Sequence, residues 1–403
     1  MLTSIFTALA GMNAYSRGLD LISNNVANLN TPGFKVSDPL FREIVYRHLN
    51  ATGQGGQGEL PGGAGVEIGA SSLIFRQGEL RDTGNALDAA IDGNGFFVLD
   101  QDGEQRYTRA GQFQFDADGI LVERATGAKV AIATKDQSYG FFDIDAVRSY
   151  PPKATGEITI TGTLARGGTT SSYELPNINV FDSGGATQTL RARLTRNAGD
   201  PLKWTVEVLN ASNVSLGKGQ IAFNADGTPA EGASKVTVKV DAAGVDDFDV
   251  VLNFGAAGSF AGVTSPGNST TSQLQIQRQD GLAIGSLTRT EFDDKGQLKL
   301  TYSNGKTEVA GSLVLAQFDA PDQLQALGNG MFAAPEGASR MLGSALSSGL
   351  GRIMGGRLEM SNVELTQQFT DLIIMQRGYQ ASSQISSVAN ELIQTLLAMD
   401  GRR

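Results

Sequence analysis

The sequence of 403 residues contains no cysteine and a single histidine, His48. The lack of cysteine excludes disulfides, thiolate nucleophiles and Cys–His metal sites, and a Ser-His-Asp triad would have to use His48. We interpret His48 as an exposed loop residue, because it lies beside a glycine-rich stretch. No nucleophile–base pair stands out, so we expect no enzymatic activity, no cofactor and no metal ion.

Long apolar runs and basic clusters are also missing. No stretch approaches the roughly 18 apolar residues that a transmembrane helix needs, and the first residues lack the basic segment of a cleavable signal peptide. The net charge is −10, without a basic stripe. We therefore expect no membrane insertion and no nucleic-acid partner. If the protein leaves the cytoplasm, we expect an export route other than an amino-terminal Sec signal.

What the sequence does contain is a long amphipathic pattern at each end. Residues 1–30 predict a helix, because their apolar residues recur at steps of three, four and seven. Thr31-Pro32-Gly33 is typical of a helix end. On this face we predict assembly contacts for Leu2, Ile5, Leu9, Met12, Leu19 and Val26.

Residues 361–399 predict a second long helix, opened by the capping box Ser361-Asn362-Val363-Glu364. Its apolar stripe shifts phase slightly near its middle, and it includes the predicted contacts Phe369, Leu372, Tyr379, Ile385, Val388, Leu392 and Leu396. Neither helix can bury its apolar face alone. We expect the two helices to pair in a coiled-coil-like manner and to pack on neighbouring copies; the alternative is two long core helices of an ordinary domain.

Between the helices the sequence is rich in glycine and typical of β-structure. Residues 34–50 could be a short helix or an extended segment, and residues 51–65 have the composition of a flexible linker. An aromatic residue, turn-forming residues and a glycine recur at residues 115–119, 223–227 and 292–296. We predict hairpin turns there, because a calcium loop would need Glu at its twelfth position and the sequence has Ala125 or Tyr302.

The order of these segments predicts an α+β multidomain protein with paired terminal α-helices and two nested all-β domains. Pro151-Pro152 marks the start of an inserted module with many short strands. The predicted parts are a helix at 1–34, a linker or extended segment at 35–70, a β-domain at 71–150, an inserted outer β-domain at 151–280, the rest of the first β-domain at 281–360 and a helix at 361–403.

Several motifs resemble those of bacterial flagellar axial proteins of the rod and hook. The amino-terminal motifs are Asn24-Asn25-Val26-Ala27-Asn28 and Thr31-Pro32-Gly33-Phe34-Lys35, and the carboxy-terminal ones include residues 358–365 and Gln376-Arg377-Gly378-Tyr379-Gln380. Residues 92–97 and 107–109 resemble the central block of the same family. Asn25, Asn28 and Gln376 lie in these motifs and complete the predicted assembly interface.

Within this family the chain is most similar to hook subunits, through residues 279–305 and the inserted module. The resemblance implies a self-assembling, flexible helical tube that transmits torque from rod to filament outside the cell. It also implies export by the flagellar type III apparatus and contacts with the rod, the hook cap and the hook–filament junction proteins. The alternatives are a distal rod protein, which residues 41–65 also resemble, and an exported β-sandwich binding module or adhesin.

Overall fold

The computed structural model describes residues 2–45, 63–134, 138–167, 171–241, 246–347 and 349–400. His48 and most of the predicted linker, residues 51–62, lie outside these ranges. Helix α1 spans Leu2–Ala27 and helix α2 spans Leu365–Asp400. Short 3-10 turns occur at Asp145–Val147 and Pro321–Gln323.

The strands lie between the two helices. The first are β1 Ser37–Val45, β2 Gly63–Leu73, β3 Leu80–Asp82, β4 Ala89–Asp92, β5 Phe96–Gln101, β6 Glu104–Thr108, β7 Phe113–Phe115, β8 Leu121–Glu123, β9 Lys129–Ala133, β10 Tyr139–Phe141 and β11 Ser149–Tyr150. The next are β12 Glu157–Thr163, β13 Ser172–Phe181, β14 Thr187–Arg196, β15 Lys203–Leu209, β16 Ser215–Ala222, β17 Lys235–Val240, β18 Phe248–Asn253, β19 Val263–Thr264 and β20 Gln273–Gln279. The last are β21 Gly285–Phe292, β22 Gln297–Tyr302, β23 Thr307–Leu313, β24 Leu315–Phe318, β25 Gln325–Gly328, β26 Met331–Ala333, β27 Arg340–Gly343, β28 Arg352–Gly355 and β29 Arg357–Glu359.

The chain folds into two compact units. Unit 1 comprises the residues up to 145, residues 290–300 and the residues from 308 onward, and unit 2 comprises residues 146–289 and 301–307. The boundaries differ from the predicted 150/151 and 280/281. The contacts of β11 explain the difference. Strand β11 pairs with residues 285–286 of β21, and Tyr302 donates a hydrogen bond to the carbonyl of Val147 at 3.1 Å, so residues 281–289 and 301–307 belong to unit 2.

In unit 1 the two helices pack on each other, which confirms the predicted pairing. Strands β1 and β2 form an antiparallel hairpin that also packs on α1. Residues 37–45 and 63–70, predicted as linker or extended chain, are therefore strands. Two of their side chains show how the hairpin is held, since the Phe41 ring lies 5.6 Å from that of Tyr15 and Ile68 is buried.

The β-core of unit 1 is an antiparallel sheet in which the strand order β9-β5-β6-β26-β25 places distant segments side by side. The sequence folds this way because β5 is a run of buried apolar residues and β6 returns through a tight turn at Asp102-Gly103, both with positive φ. Aromatic rings fill the core beside this sheet, with Phe96 in edge contact with Phe75 at 5.2 Å and Phe332 at 5.9 Å.

Unit 2 contains two sheets around one apolar core. The order of the first is β13-β14-β15-β16, and that of the second is β17-β18-β12-β19, with β20 also paired to β12. Alternate residues of these strands point inward, as in β17, and Trp204 is buried at the centre of the core. The predicted inserted module thus forms two sheets over a common core.

The recurring turns are built as predicted. The carboxylate of Asp116 accepts hydrogen bonds from the backbone N–H of Asp118 and Ile120, and Asp293 does the same for Lys295 and Gln297. The glycine that follows each has positive φ, 76° at Gly119 and 69° at Gly296. This confirms hairpin turns at these positions.

Candidate assembly surface

The two helices meet along a seam that repeats every seven residues. Gly11 faces Ser382, Tyr15 faces Gly378, Gly18 faces Met375 and Asn25 faces Gln368. Residue numbers rise along α1 while they fall along α2, so the helices are antiparallel. The approach is close, since a Cβ added at Gly378 would lie 2.5 Å from Cε1 of Tyr15, and one added at Gly11 would lie 2.8 Å from Oγ of Ser382.

The seam is made mainly of small or polar side chains. On α1 the buried positions are Ala8, Gly11, Ala14, Gly18, Ile22 and Asn25, and on α2 they are Gln368, Met375, Ser382 and Ala389. Small residues allow the two backbones to approach, which long apolar side chains would prevent. As a consequence, most large apolar residues of both helices lie on the flanks of the seam, and Ile22 and Met375 are the exceptions among the described side chains.

Apart from Asn25, the predicted assembly residues whose side chains the structure describes therefore lie outside the seam. The exposed fractions are 57% for Leu9, 54% for Phe369, 53% for Ile385, 55% for Val388 and 51% for Leu392. Tyr379 and Gln376 are also exposed, whereas Ile5, Met12, Leu19, Val26 and Leu372 are partly buried. The side chains of Leu2 and Leu396 lie outside the described part of the chain.

Three further apolar side chains on these helices were missed. Phe6, Ile373 and Ile374 are exposed by 58%, 56% and 55%. Phe6 lies four residues after Leu2, and Ile373 lies four residues after Phe369, so the same helical steps would have indicated both. Contiguous exposed apolar surface on a soluble chain marks an interaction site, and these three residues enlarge that surface.

Asn25 has a different role from the one predicted. It is 1% exposed, and its amide donates to the Ser37 carbonyl at 3.0 Å and to Oε1 of Gln368 at 2.9 Å. Its Oδ1 accepts from the Ser37 N–H at 3.1 Å. Asn25 thus joins α1, β1 and α2 inside one subunit and does not reach the surface as an assembly contact.

Asn28 closes the end of α1. Its side-chain amide donates to the carbonyl of Asn24 at 2.9 Å, and its Oδ1 accepts from the Thr31 hydroxyl at 3.0 Å. These bonds satisfy groups at the helix end, so α1 ends at Ala27 and not near residue 30 as predicted.

A buried cluster of charges lies beneath the helix pair. Glu359, with no exposed side-chain surface, binds Nζ of Lys35 at 2.7 Å and a guanidinium nitrogen of Arg109 at 3.3 Å. The same carboxylate accepts the Gly78 N–H at 2.9 Å. Burial lowers the pKa of Lys35 and that of Arg109, and in both cases the Glu359 carboxylate opposes this change.

Asn362 joins the same region to α2. Its Oδ1 accepts the Val36 N–H at 2.8 Å, and its amide donates to the carbonyls of Ile74 at 2.8 Å and Arg76 at 2.9 Å. Residues 361–364 are therefore held by the β-structure, and α2 begins at Leu365. The predicted capping box at Ser361 is wrong for this reason.

The charge cluster and Asn362 form a junction that fixes where the helices leave the β-core. All of its charged groups bind one another or the backbone, so it is suited to holding the chain in place. Within the described ranges, neither helix is long and apolar enough to cross a membrane. In the same part of the chain, no group of three or more acidic or histidine side chains is arranged to hold a metal ion.

Three family models match the chain, and together they include both helices. They are flagella basal body rod protein at residues 5–35, flagellar hook protein FlgE/F/G D1 domain at 90–164 and flagellar basal body rod FlgEFG protein C-terminal at 354–399. The first and last contain most of the residues of the seam and the junction.

Curated relatives match over nearly the whole chain. The flagellar hook protein FlgE of Borreliella burgdorferi is 28% identical over 99% of this chain and 100% of its own length. FlgE of Brucella abortus is 30% identical over 97% of each chain. A solved structure, flagellar hook protein FlgE2 of Helicobacter pylori, superposes with a TM-score of 0.47 at 12% identity over 68% of this chain and 99% of that chain. On the strength of the full-length matches, the chain belongs to the flagellar hook protein FlgE family.

Proposed function

We propose that this chain is a structural subunit of the bacterial flagellar hook, where copies assemble into a flexible helical tube that transmits torque from rod to filament. The observation that carries the proposal is the helix pair, which turns its large apolar side chains away from its own seam. A subunit built in this way lacks partners for Phe369, Ile385, Val388 and Leu392, and further copies supply them. The relatives named as hook proteins share this chain's full length, which favours a hook over a distal rod subunit.

The assembly contacts of this proposal are the exposed residues on the flanks of the seam. Burying an apolar side chain that is half exposed is favourable by roughly 1 kcal/mol, taking half of the value for full burial. Each contact is therefore weak, and a tube gains stability by repeating it in every subunit. We infer no catalytic role, because the family is structural.

The location and the other partners follow from the same proposal. A hook subunit is extracellular, and it contacts the rod at one end of the tube and the hook–filament junction proteins at the other. During growth it also contacts the hook cap, and it leaves the cell through the flagellar type III export apparatus.

The test is a charge placed in the exposed apolar surface. Leu392→Asp should abolish assembly while both units stay folded, because a charge buried without a partner costs several kcal/mol. The matched control is Gln394→Asp, which adds the same charge at another exposed position of α2 and should leave assembly intact. Both chains are expressed in cells lacking the native protein, and tubes are examined by electron microscopy. Normal tubes from Leu392→Asp would refute the proposed contact surface.

A further inference from the structure

Helix α2 carries two stripes with the same spacing, and all of their members are apolar except Gln376. The first, here called the proximal stripe, consists of Leu365, Phe369, Leu372 and Gln376. The second consists of Ala381, Ile385, Val388 and Leu392. Each follows the steps of four, three and four residues, and every member of the second stripe lies 16 residues after a member of the first.

The two stripes lie on opposite sides of the helix pair. At about 100° per residue, a step of 16 residues turns the helix by about 1600°, so the two stripes lie roughly 160° apart around α2. The same step separates the stripes by about 24 Å along the helix axis. The buried positions Met375, Ser382 and Ala389 run between them. The proximal stripe therefore lies on one side of the seam, near the junction, and the second stripe lies on the other side, farther along α2.

The shapes of the two stripes differ. The second stripe lines a groove of about 500 Å³, here called the distal groove, with Ser4 of α1 and Ala381, Gln384, Ile385, Val388, Ala389 and Leu392 of α2 at its surface. Small residues in this wall leave space between the larger ones. The proximal stripe carries the larger side chain of Phe369, 54% exposed, beside Leu365, 39% exposed. Neither stripe contains a charged side chain.

This arrangement favours one kind of contact between copies. When a surface contacts the same surface of a second copy, the assembly closes as a dimer. When two different surfaces meet, each end of the assembly keeps one free surface, so further copies can be added. A continuous tube needs the second kind. The proximal stripe and the distal groove are suited to it because they have the same spacing, lack charged side chains and lie on opposite sides of the seam.

We propose that the proximal stripe of one copy occupies the distal groove of a second copy, whose α2 is parallel and displaced by about 24 Å along its axis. This inference rests on the proposed assembly into a tube and specifies which surfaces meet. Leu365, Phe369, Leu372 and Gln376 of one copy then lie opposite Ala381, Ile385, Val388 and Leu392 of the next.

Cysteine cross-linking tests this register directly, because the chain has no native cysteine. One variant carries Gln376→Cys with Leu392→Cys, and a second carries Leu365→Cys with Ala381→Cys. Within one helix each pair is about 24 Å apart, too far for a disulfide, whose Cα atoms lie about 4.4–6.8 Å apart. A bond can therefore form only between copies. After tubes are seen by electron microscopy, oxidation should convert both variants into a ladder of covalent multimers.

The control is Gln376→Cys with Gln394→Cys. These exposed positions are 18 residues apart, which at about 100° per residue places them on the same side of α2, so no ladder is expected. A ladder from this control, or dimers from Gln376→Cys alone, would show that like surfaces meet and would overturn the proposal. Any variant that does not form tubes alone is oxidised in tubes mixed with the wild-type chain, where dimers are expected.

The outcomes separate the two proposals. Tubes that form normally but give no cross-link in either stripe-to-groove pair would refute the register and leave the hook assignment standing. Failure of the wild-type chain to form tubes at all, in cells lacking the native protein, would refute the hook assignment itself.

Discussion

The buried carboxylate of Glu359 gives the sharpest test of how unit 1 is held together. Its side chain is fully buried and binds Lys35 and Arg109, which are 2% and 4% exposed. Glu359→Gln keeps the shape but removes the only negative charge of the cluster. Removing one partner of a buried ion pair costs about 3–5 kcal/mol, a large part of the roughly 5–15 kcal/mol that stabilises a typical domain.

The assay separates the two units of the chain. Unfolding of unit 1 in urea is followed by helical circular dichroism, since both helices belong to it. Trp204, the only tryptophan, lies in the core of unit 2 and reports that unit by fluorescence. The matched control is Glu67→Gln, because the partner of Glu67, Arg42, has a side chain that is 74% exposed. This substitution should lower the free energy of unfolding of unit 1 by less than about 1 kcal/mol. Equal losses of stability in unit 1 for the two variants would refute the reasoning.

The pH dependence of the Glu359→Gln variant gives an independent check. Burial already lowers the pKa of Lys35 from its ordinary 10.5, and loss of the carboxylate removes the interaction that opposes this change. A lysine whose pKa is lowered by folding favours its neutral form in the folded state, so folding gains stability as the pH rises toward 10.5. The deficit of Glu359→Gln relative to wild type should shrink over this range, and a constant deficit would contradict the assigned role of Lys35.

Three further predictions follow from contacts in unit 1 and from the fold of unit 2. Gly378→Leu should lower the helical unfolding midpoint by the equivalent of about 1–3 kcal/mol, because its side chain would meet the Tyr15 ring, and adding Tyr15→Ala should restore part of the loss. Burial and Asp371 raise the pKa of Asp38, so the charged form of Asp38 destabilises the folded state. Asp38→Asn should therefore stabilise unit 1 against urea at neutral pH. This gain in stability should vanish as the pH falls below 3.8, where Asp38 is protonated in both the folded and the unfolded state. Excision of residues 157–279, bridged by a short glycine linker, should leave the helical dichroism of unit 1 unchanged, because the two ends are paired strands; loss of that signal would contradict the division into units.

The two helices and their pairing were predictable because their apolar periodicity extends over many turns. Which side of each helix faces the other was not predictable from that periodicity, because large apolar residues dominate it. In α1 the seam is marked instead by small ones, Ala8, Gly11, Ala14 and Gly18. A row of small residues at three- and four-residue steps was the available signal, and it is weaker because alanine and glycine are common.

The junction could not be predicted from residue patterns alone. Lys35 follows a helix-ending motif, and Glu359 stands between Leu358 and Met360. A single charge in an apolar setting hints at burial, but local sequence does not indicate which distant charge it meets. The start of α2 was misplaced for the same reason, since Ser361-Asn362-Val363-Glu364 has the local pattern of a cap, while the partners of Asn362 lie near residues 36 and 74–76.

The ion pair between Lys35 and Glu359 also has a consequence for the order in which the protein can fold. The two residues are 324 positions apart in the chain, so a ribosome must make nearly the whole protein before Lys35 can bind Glu359. Unit 2, drawn mainly from residues 146–289, can close much earlier. Contacts between such distant positions slow folding. Helix α1 can pack on β1 and β2 early, but its seam with α2 stays uncovered until synthesis is nearly complete. During that time any factor that binds unfolded polypeptide can bind this side of α1.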